Sequence, residues 1–182
     1  MNDLYVHLAD GFEEIEAVTI IDVLRRAGLN VITVSVTGNR MVKGSHKIEM
    51  NADYLFEDVD YENGEMIILP GGMPGSKNLN EHKGLKQQIL EYQKNGKYLA
   101  AICAAPIVFG SLGILKGKRV VCYPGYETHL IGAEVLINSV LVDTNIITGR
   151  GVGAALKFSL EIVRILKGEE SAILLRKAML VE

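Results

Sequence analysis

The chain has little that would tie it to nucleic acid, to a membrane or to an oxidising compartment. It has no tryptophan, only two cysteines, and 19 Lys+Arg against 22 Asp+Glu, for a net charge of −3. No basic stripe and no basic patch interleaved with aromatics appears, so nucleic acid is not an expected partner. No apolar run reaches the ~18 residues needed to span a bilayer, so no membrane partner is expected either. The opening "MNDLYVHLAD" carries Asp3 and a short strand-like run, and does not read as a signal peptide. A cytoplasmic location follows as the expectation. Cys103 and Cys122 are then expected as reduced thiols and not as a disulfide. Internal repeats, low-complexity stretches and linkers are also missing. What remains is 182 residues, 48% hydrophobic, which suits one domain over residues 1–182 with a sizeable core.

The apolar pattern alternates between strand and helix. Strands are predicted over 4–9, 30–36, 65–70, 97–102 and 119–123, with further strand-like runs at "EVLIN" and "NIITG". Helices are predicted over 13–27, 84–96, 104–112 and 154–168, followed by a short C-terminal helix. Residues 41–50 have turn formers in their middle and read as a small hairpin. Strands separated by helical crossovers imply an α/β fold, a mostly parallel sheet with helices on both faces. The near-continuous apolar strands agree, because parallel strands are covered on both sides. In such sheets ligands collect at the carboxyl ends of the strands.

Three strand ends carry candidate chemistry. At "YLAAICAAPIVFG", the strand ends at Cys103 and a helix begins almost at once, with Pro106 in its first turn. A strand–nucleophile–helix turn would expose the thiol, and a helix N-terminus would favour its thiolate. A buried structural cysteine is the other local reading of Cys103. At "LPGGMPG", Gly71 and Gly72 would let backbone N–H groups approach a ligand and stabilise an oxyanion. At "ADGFEEIEA", Glu13 and Glu14 suit the first turn of a helix. Glu16 is different, because it shares a helical face with Ile20 and Val23 on a helix apolar almost all round. It is a candidate buried carboxylate, protonated or paired.

The other polar residues are assigned more plainly. His7 lies within a strand and reads as a satisfied core histidine, His82 as a surface residue and Cys122 as inert core. Arg25 and Arg26 suit the C-terminal end of the first helix. No His, Cys and carboxylate residues cluster at ligand spacing along the chain, so no metal is expected. "GRGVGAAL" follows a strand and opens a helix, but no strand follows that helix, so no dinucleotide cofactor is expected.

Four stretches taken together resemble the ThiJ/PfpI superfamily, and more narrowly its deglycase branch. They are "DGFEEIEAVTIIDVLRRAG" (10–28), "ILPGGMPGSKNL" (68–79), "AAICAAP" (100–106) and "TGRGVG" (148–153). The resemblance implies a flavodoxin-like three-layer sandwich that forms a homodimer, for which the largely apolar first helix (13–27) is the expected contact. It implies that Cys103 is a reactive thiol on a strained elbow, that Glu16 is its hydrogen-bonding partner, and that the N–H groups of Gly72 and Ala104 form an oxyanion pocket. Gly71, His129, His46 and Arg150 are the further pocket candidates. Protease-like and amidase-like members carry histidine directly after the cysteine. Here that position is Ala104, which argues against amidase or peptidase activity. A later-loop histidine of the deglycase branch is missing from "IGAEVL" (131–136). His129, just upstream, either substitutes for it or is a surface loop residue. His46 stands where the family carries an arginine.

The implied activity is a cofactor-free glyoxalase or deglycase. Its substrates would be small α-oxoaldehydes or early glycation adducts of proteins, attacked by Cys103 to give a hemithioacetal. The alternative is an oxidative-stress sensor or redox-regulated chaperone working through oxidation of Cys103.

Overall fold

The computed structural model describes residues 3–181. Its main sheet has seven strands in the order β10-β11-β7-β6-β1-β2-β5. These are β1 (Asp3–Leu8), β2 (Val31–Ser35), β5 (Tyr54–Leu55), β6 (Gly64–Leu69), β7 (Tyr98–Ile102), β10 (Val140–Asp143) and β11 (Ile146–Gly149). Every pairing in it is parallel except β10 with β11. β3 (Met41–Lys43) and β4 (Glu49–Asn51) form the antiparallel hairpin expected over 41–50. β8 (Arg119–Val120) and β9 (Glu134–Val135) form a separate short parallel pair.

Strand residues alternate between two cores, as the period-2 pleat requires. Leu4, Val6, Leu8, Met66, Ile68, Ala100, Ile102 and Ile147 face a cluster completed by α1 (Glu14–Arg26), α5 (Ala155–Lys167) and α6 (Glu169–Ala178). Tyr5, Val34, Ile67, Leu69, Leu99, Ala101 and Ile146 face the second cluster. It is covered by α2 (Gly75–Glu81), α3 (Lys83–Lys94) and α4 (Pro106–Ser111). The fold is therefore the expected three-layer sandwich. The continuous apolar reading of the strands reflects cover on both faces.

Some boundaries differ for local reasons. The strand expected over 119–123 pairs only at Arg119 and Val120, and it lies outside the main sheet. The helix expected from 104 begins at Pro106 and is six residues long, because the chain first makes a turn through Cys103–Ala105. α2 and β10 are additions. The first is a polar heptapeptide, GSKNLNE, without an apolar stripe, and the second is half-buried throughout and shows no alternation. α1 ends as expected, with Arg25 and Arg26 in its last turn and Gly28 at φ +71°.

Candidate active site

β7, β6 and β1 are adjacent and parallel, so the loops after them leave the sheet at one edge. Cys103 follows β7, Gly71 and Gly72 follow β6, and Glu16 lies in the first turns of the helix after β1.

Cys103 has φ +64°, a left-handed conformation that costs a non-glycine residue about 1–2 kcal/mol. The turn is pinned on both sides. Cys103 N–H donates to Gly149 O at 2.9 Å, and Tyr123 N–H donates to Cys103 O at 2.8 Å. A non-glycine residue held in this region by neighbouring hydrogen bonds marks a site where strain is maintained for a purpose. This is the strained elbow that the resemblance implies.

Glu16 is fully buried. Its Oε2 accepts the Gly71 N–H at 2.8 Å, and its Oε1 has no hydrogen-bond partner among the described residues. Burial pushes its pKa up to about 7, against the Gly71 hydrogen bond. Gly71 separates the two side chains. A Cβ there would lie 2.5 Å from Cys103 Cβ and 2.7 Å from Glu16 Oε2, so only glycine lets thiol and carboxyl meet.

Gly72 has φ +92°. Its N–H and that of Ala104 favour the Cys103 thiolate. Burial and the Glu16 carboxylate outweigh them and push the thiol up to about 12. The expected helix-dipole activation of Cys103 is thus corrected. The six-residue α4 starts three positions later, and desolvation dominates. The Gly71 N–H is committed to Glu16, which leaves Gly72 and Ala104 as the donor pair at sulfur.

The remaining candidates are more scattered. Arg150 lines a cleft of about 530 Å³ with Tyr123, Pro124, Ser139 and Gly151, and Tyr123 ties this cleft to the backbone of Cys103. Its Nη1 donates to Ile137 O at 3.2 Å, and it pairs with no carboxylate among the described residues. His129 is exposed on the turn Glu127–His129, its ring 6.2 Å from that of Tyr126, and no hydrogen bond joins it to Cys103 or Glu16 among the described residues. His46 sits on the β3–β4 hairpin, with Nδ1 2.8 Å from Glu14 Oε2 and 3.6 Å from Glu13 Oε2.

Two expectations are revised and a third is extended. Glu14 lies in the first turn of α1, as expected, but not as an exposed side chain. It is buried, and its Oε1 accepts the His46 N–H at 2.6 Å. Burial opposes its charge, but the bonds from His46 and Ile48 hold its pKa down at about 2. Nor are metal-ligating residue types unclustered, for the fold brings Glu13, Glu14 and His46 together with donor atoms within 4.8 Å of one another. The signal was a helix start and a hairpin some thirty residues apart, which linear spacing does not show. His82 is not a plain surface residue: it is half-buried, its Nδ1 accepts the Leu85 N–H at 3.0 Å to cap α3, and it lies edge-on to Phe56.

His7 and Cys122 are buried as expected, and burial raises the Cys122 thiol to about 11. His7 is only half satisfied. Its Nε2 is 2.8 Å from Tyr61 Oη, while Nδ1 has no partner among the described residues. No helix among the described residues is long and apolar enough to cross a membrane.

Comparison with known proteins gives the family and the fold. A family model described as "DJ-1/PfpI family" matches residues 2–165. The chain is 38% identical to "Protein DJ-1 homolog B" of Arabidopsis thaliana over 98% of its length, and it covers 41% of that protein. It thus spans less than half the length of the two Arabidopsis relatives. It is 32% identical to "Glutathione-independent glyoxalase DJR-1.2" of Caenorhabditis elegans, covering 92% of this chain and 89% of that one. Among solved structures, "Toxoplasma gondii DJ-1, oxidized" superposes with a TM-score of 0.95 at 34% identity, covering 99% of this chain and 98% of that one. The Drosophila melanogaster DJ-1beta structure gives 0.95 at 33% identity, over 100% and 98% of the two chains. The matched region contains the cysteine elbow, the buried glutamate and the glycine pair, and the chain belongs to the DJ-1/PfpI family.

Proposed function

We propose that the chain is a cofactor-free, cysteine-dependent glyoxalase or deglycase acting on small α-oxoaldehydes or early glycation adducts. One observation carries the reading. The fully buried Glu16 has an unpartnered Oε1 and lies beside Cys103 across Gly71. The similarity to a protein named as a glutathione-independent glyoxalase supports the same class.

The chemistry needs one proton carrier and one nucleophile. The Cys103 thiolate adds to the aldehyde carbon, and Glu16 supplies the proton to the new alkoxide, giving a hemithioacetal. The Glu16 carboxylate then removes the hydrogen from that carbon and returns it to the neighbouring carbonyl carbon, while the hydroxyl proton passes to the neighbouring oxygen. The aldehyde carbon is oxidised to a thioester while its neighbour is reduced to an alcohol, so no external redox partner is required. Water cleaves the thioester to release a 2-hydroxy acid and the free thiol. The N–H groups of Gly72 and Ala104 are placed to hold developing negative charge. The test is methylglyoxal turnover by wild type, Cys103→Ala and Glu16→Gln. Loss in both variants is expected, and equal rates in wild type and Cys103→Ala would refute the reading.

A second reading is an oxidative-stress sensor. It draws support from the partly exposed Cys103 and from the similarity to a DJ-1 structure described as oxidized. Two equivalents of peroxide would convert the thiolate to a sulfinate and release two waters. Intact-mass analysis after mild peroxide separates the readings. A gain of two oxygens on Cys103 in a chain that does not turn over methylglyoxal favours the sensor.

Both readings are compatible with a homodimer through α1, which leaves Ile15 58% and Val18 47% exposed on its outer face. Sedimentation of Ile15→Asp/Val18→Asp is expected to show monomers where wild type shows dimers. A wild-type monomer would overturn this assignment.

A further inference from the structure

We propose that Glu13 Oε2, Glu14 Oε2 and His46 Nδ1 form a binding site for a divalent cation of the zinc class, with Ser45 Oγ at the fourth corner. The site lies between the N-terminus of α1 and the β3–β4 hairpin, and its donor atoms are separate from Cys103 and Glu16.

The first argument is geometric. His46 Nδ1 is 2.8 Å from Glu14 Oε2 and 3.6 Å from Glu13 Oε2. Ser45 Oγ is 3.1 Å from His46 Nδ1, 3.2 Å from Glu14 Oε2 and 3.4 Å from Glu13 Oε2. These are five of the six edges of a tetrahedron. A regular tetrahedron with edges of about 3.2 Å has its centre about 2.0 Å from each corner, the length of zinc bonds to imidazole nitrogen and carboxylate oxygen. One nitrogen and two carboxylate oxygens form a borderline donor set, which selects zinc-like ions over magnesium.

The second argument is the lack of a permanent cation beside two buried carboxylates. The side-chain groups within hydrogen-bond distance of the two Oε2 atoms among the described residues are the Ser45 hydroxyl and His46 Nδ1. The two carboxylates are 11% and 5% exposed, and neither has a Lys or Arg within salt-bridge distance among the described residues. Buried carboxylates of this kind are paired or coordinate a metal. Glu14 is also oriented as an outer shell would orient a ligand. Its Oε1 accepts the N–H groups of His46 at 2.6 Å and Ile48 at 3.4 Å, which turns Oε2 toward the cluster.

The test is calorimetric titration of the whole chain with Zn²⁺, together with the visible absorption of Co²⁺ as a probe of coordination. Wild type, Cys103→Ser, His46→Ala and Glu13→Gln are compared. His46 is 69% exposed, so its truncation does not threaten the fold. The expected result is one Zn²⁺ per chain, retained in Cys103→Ser and weakened at least tenfold in His46→Ala and Glu13→Gln, with intense tetrahedral Co²⁺ bands lost in the same two variants. Absence of saturable binding by wild type would overturn the proposal, because a proton on His46 would then be the cluster's only cation. So would affinity undiminished by His46→Ala, or binding abolished by Cys103→Ser, which would assign the metal to the thiol.

Discussion

Replacing Glu16 with glutamine separates the two jobs assigned to this carboxyl. Glutamine keeps the volume and an oxygen for the Gly71 N–H, but it carries no charge and no transferable proton. The single point where Gly71 would bear a Cβ lies 2.5 Å from Cys103 Cβ and 2.7 Å from Glu16 Oε2, so the two groups are close neighbours. Two unit charges about 5 Å apart, at an effective dielectric of about 20, repel by about 3 kcal/mol. That is about two pKa units on the thiol. The effect is present only when Glu16 is ionised, that is, above its pKa of about 7. Below pH 6 both chains have a neutral partner at Cys103, and their iodoacetamide alkylation rates are expected to coincide. Above pH 7 the wild-type carboxylate holds the thiol up toward about 12, while the variant continues to form thiolate. At pH 9 the variant is expected to alkylate on the order of a hundredfold faster, from the two-unit shift. Its methylglyoxal turnover is expected to fall by about 10² or more, since the proton carrier is gone. A thiol that gains alkylation rate while catalysis collapses is the signature. Equal or slower alkylation of Glu16→Gln at pH 9 would refute the electrostatic account.

Three other perturbations test the framework around this pair. Gly72→Ala places a Cβ within 3 Å of the backbone of Gly11, Phe12 and Glu13 at a φ of +92°. Overpacking and the left-handed backbone together are expected to cost about 3–4 kcal/mol in urea denaturation. Gly113→Ala, at φ +71° with open space around it, is expected to cost about 1 kcal/mol; equal losses at both glycines would sink the steric argument. Burial, aided by charge on His82, lowers the His7 pKa to about 3, below its unfolded value. Stability is therefore complete above about pH 6.5 and falls as pH drops toward 3, by up to about 1.4 kcal/mol per pH unit. His7→Gln is expected to flatten that limb between pH 6.5 and 5, and an unchanged slope would contradict the assignment. Asp53 Oδ2 accepts from Thr33 N–H and Thr33 Oγ1, both at 2.8 Å, and from Arg25 at 2.9 Å, so it covers the open edge of β2. Asp53→Ala is expected to cost about 1–3 kcal/mol by the same denaturation assay, and a neutral result would mean that water replaces the carboxylate there.

How much was legible in the sequence depended on the kind of signal. β6 and β7 carry apolar runs and β2 a β-branched run, and these identify them before any tertiary contact is known. α1 and α5 have clear stops in Gly28 and Gly168. Cys103, the Gly71–Gly72 pair and Glu16 stood out as candidates because each follows a strand of a parallel sheet; their roles as a set came from the family resemblance. β10 was not legible. It is an antiparallel edge strand, half-buried at all four residues, so neither alternation nor a buried run marks it. α2 was hidden for a different reason, its polar sequence being held by contacts with α3, α4 and β1 and not by an amphipathic stripe. The pairing of Glu14 with His46 joins a helix start to a hairpin 32 residues away, and no local period encodes that distance.

The failed expectation about the thiol also explains why the site is built as a pair. A short helix beginning at Pro106 suggested an activated thiolate, yet desolvation raises the thiol instead. A lone thiol in that position would be inert at neutral pH. A buried carboxyl beside it changes the balance, because the two groups can share a single proton. With the proton on Glu16, its charge no longer opposes the thiolate, and the Gly72 and Ala104 N–H groups then act without competition. The carboxyl must therefore be buried enough to be protonated near pH 7 and close enough to return that proton to the substrate. Burial meets the first demand against the Gly71 hydrogen bond. Gly71 meets the second, since its N–H holds Oε2 at 2.8 Å and its missing side chain leaves the space between the pair. On this argument Gly71→Ala is more damaging to turnover than to folding. It pushes apart the two groups that must exchange a proton, even if the displaced Glu16 side chain yields enough room for the sheet to form.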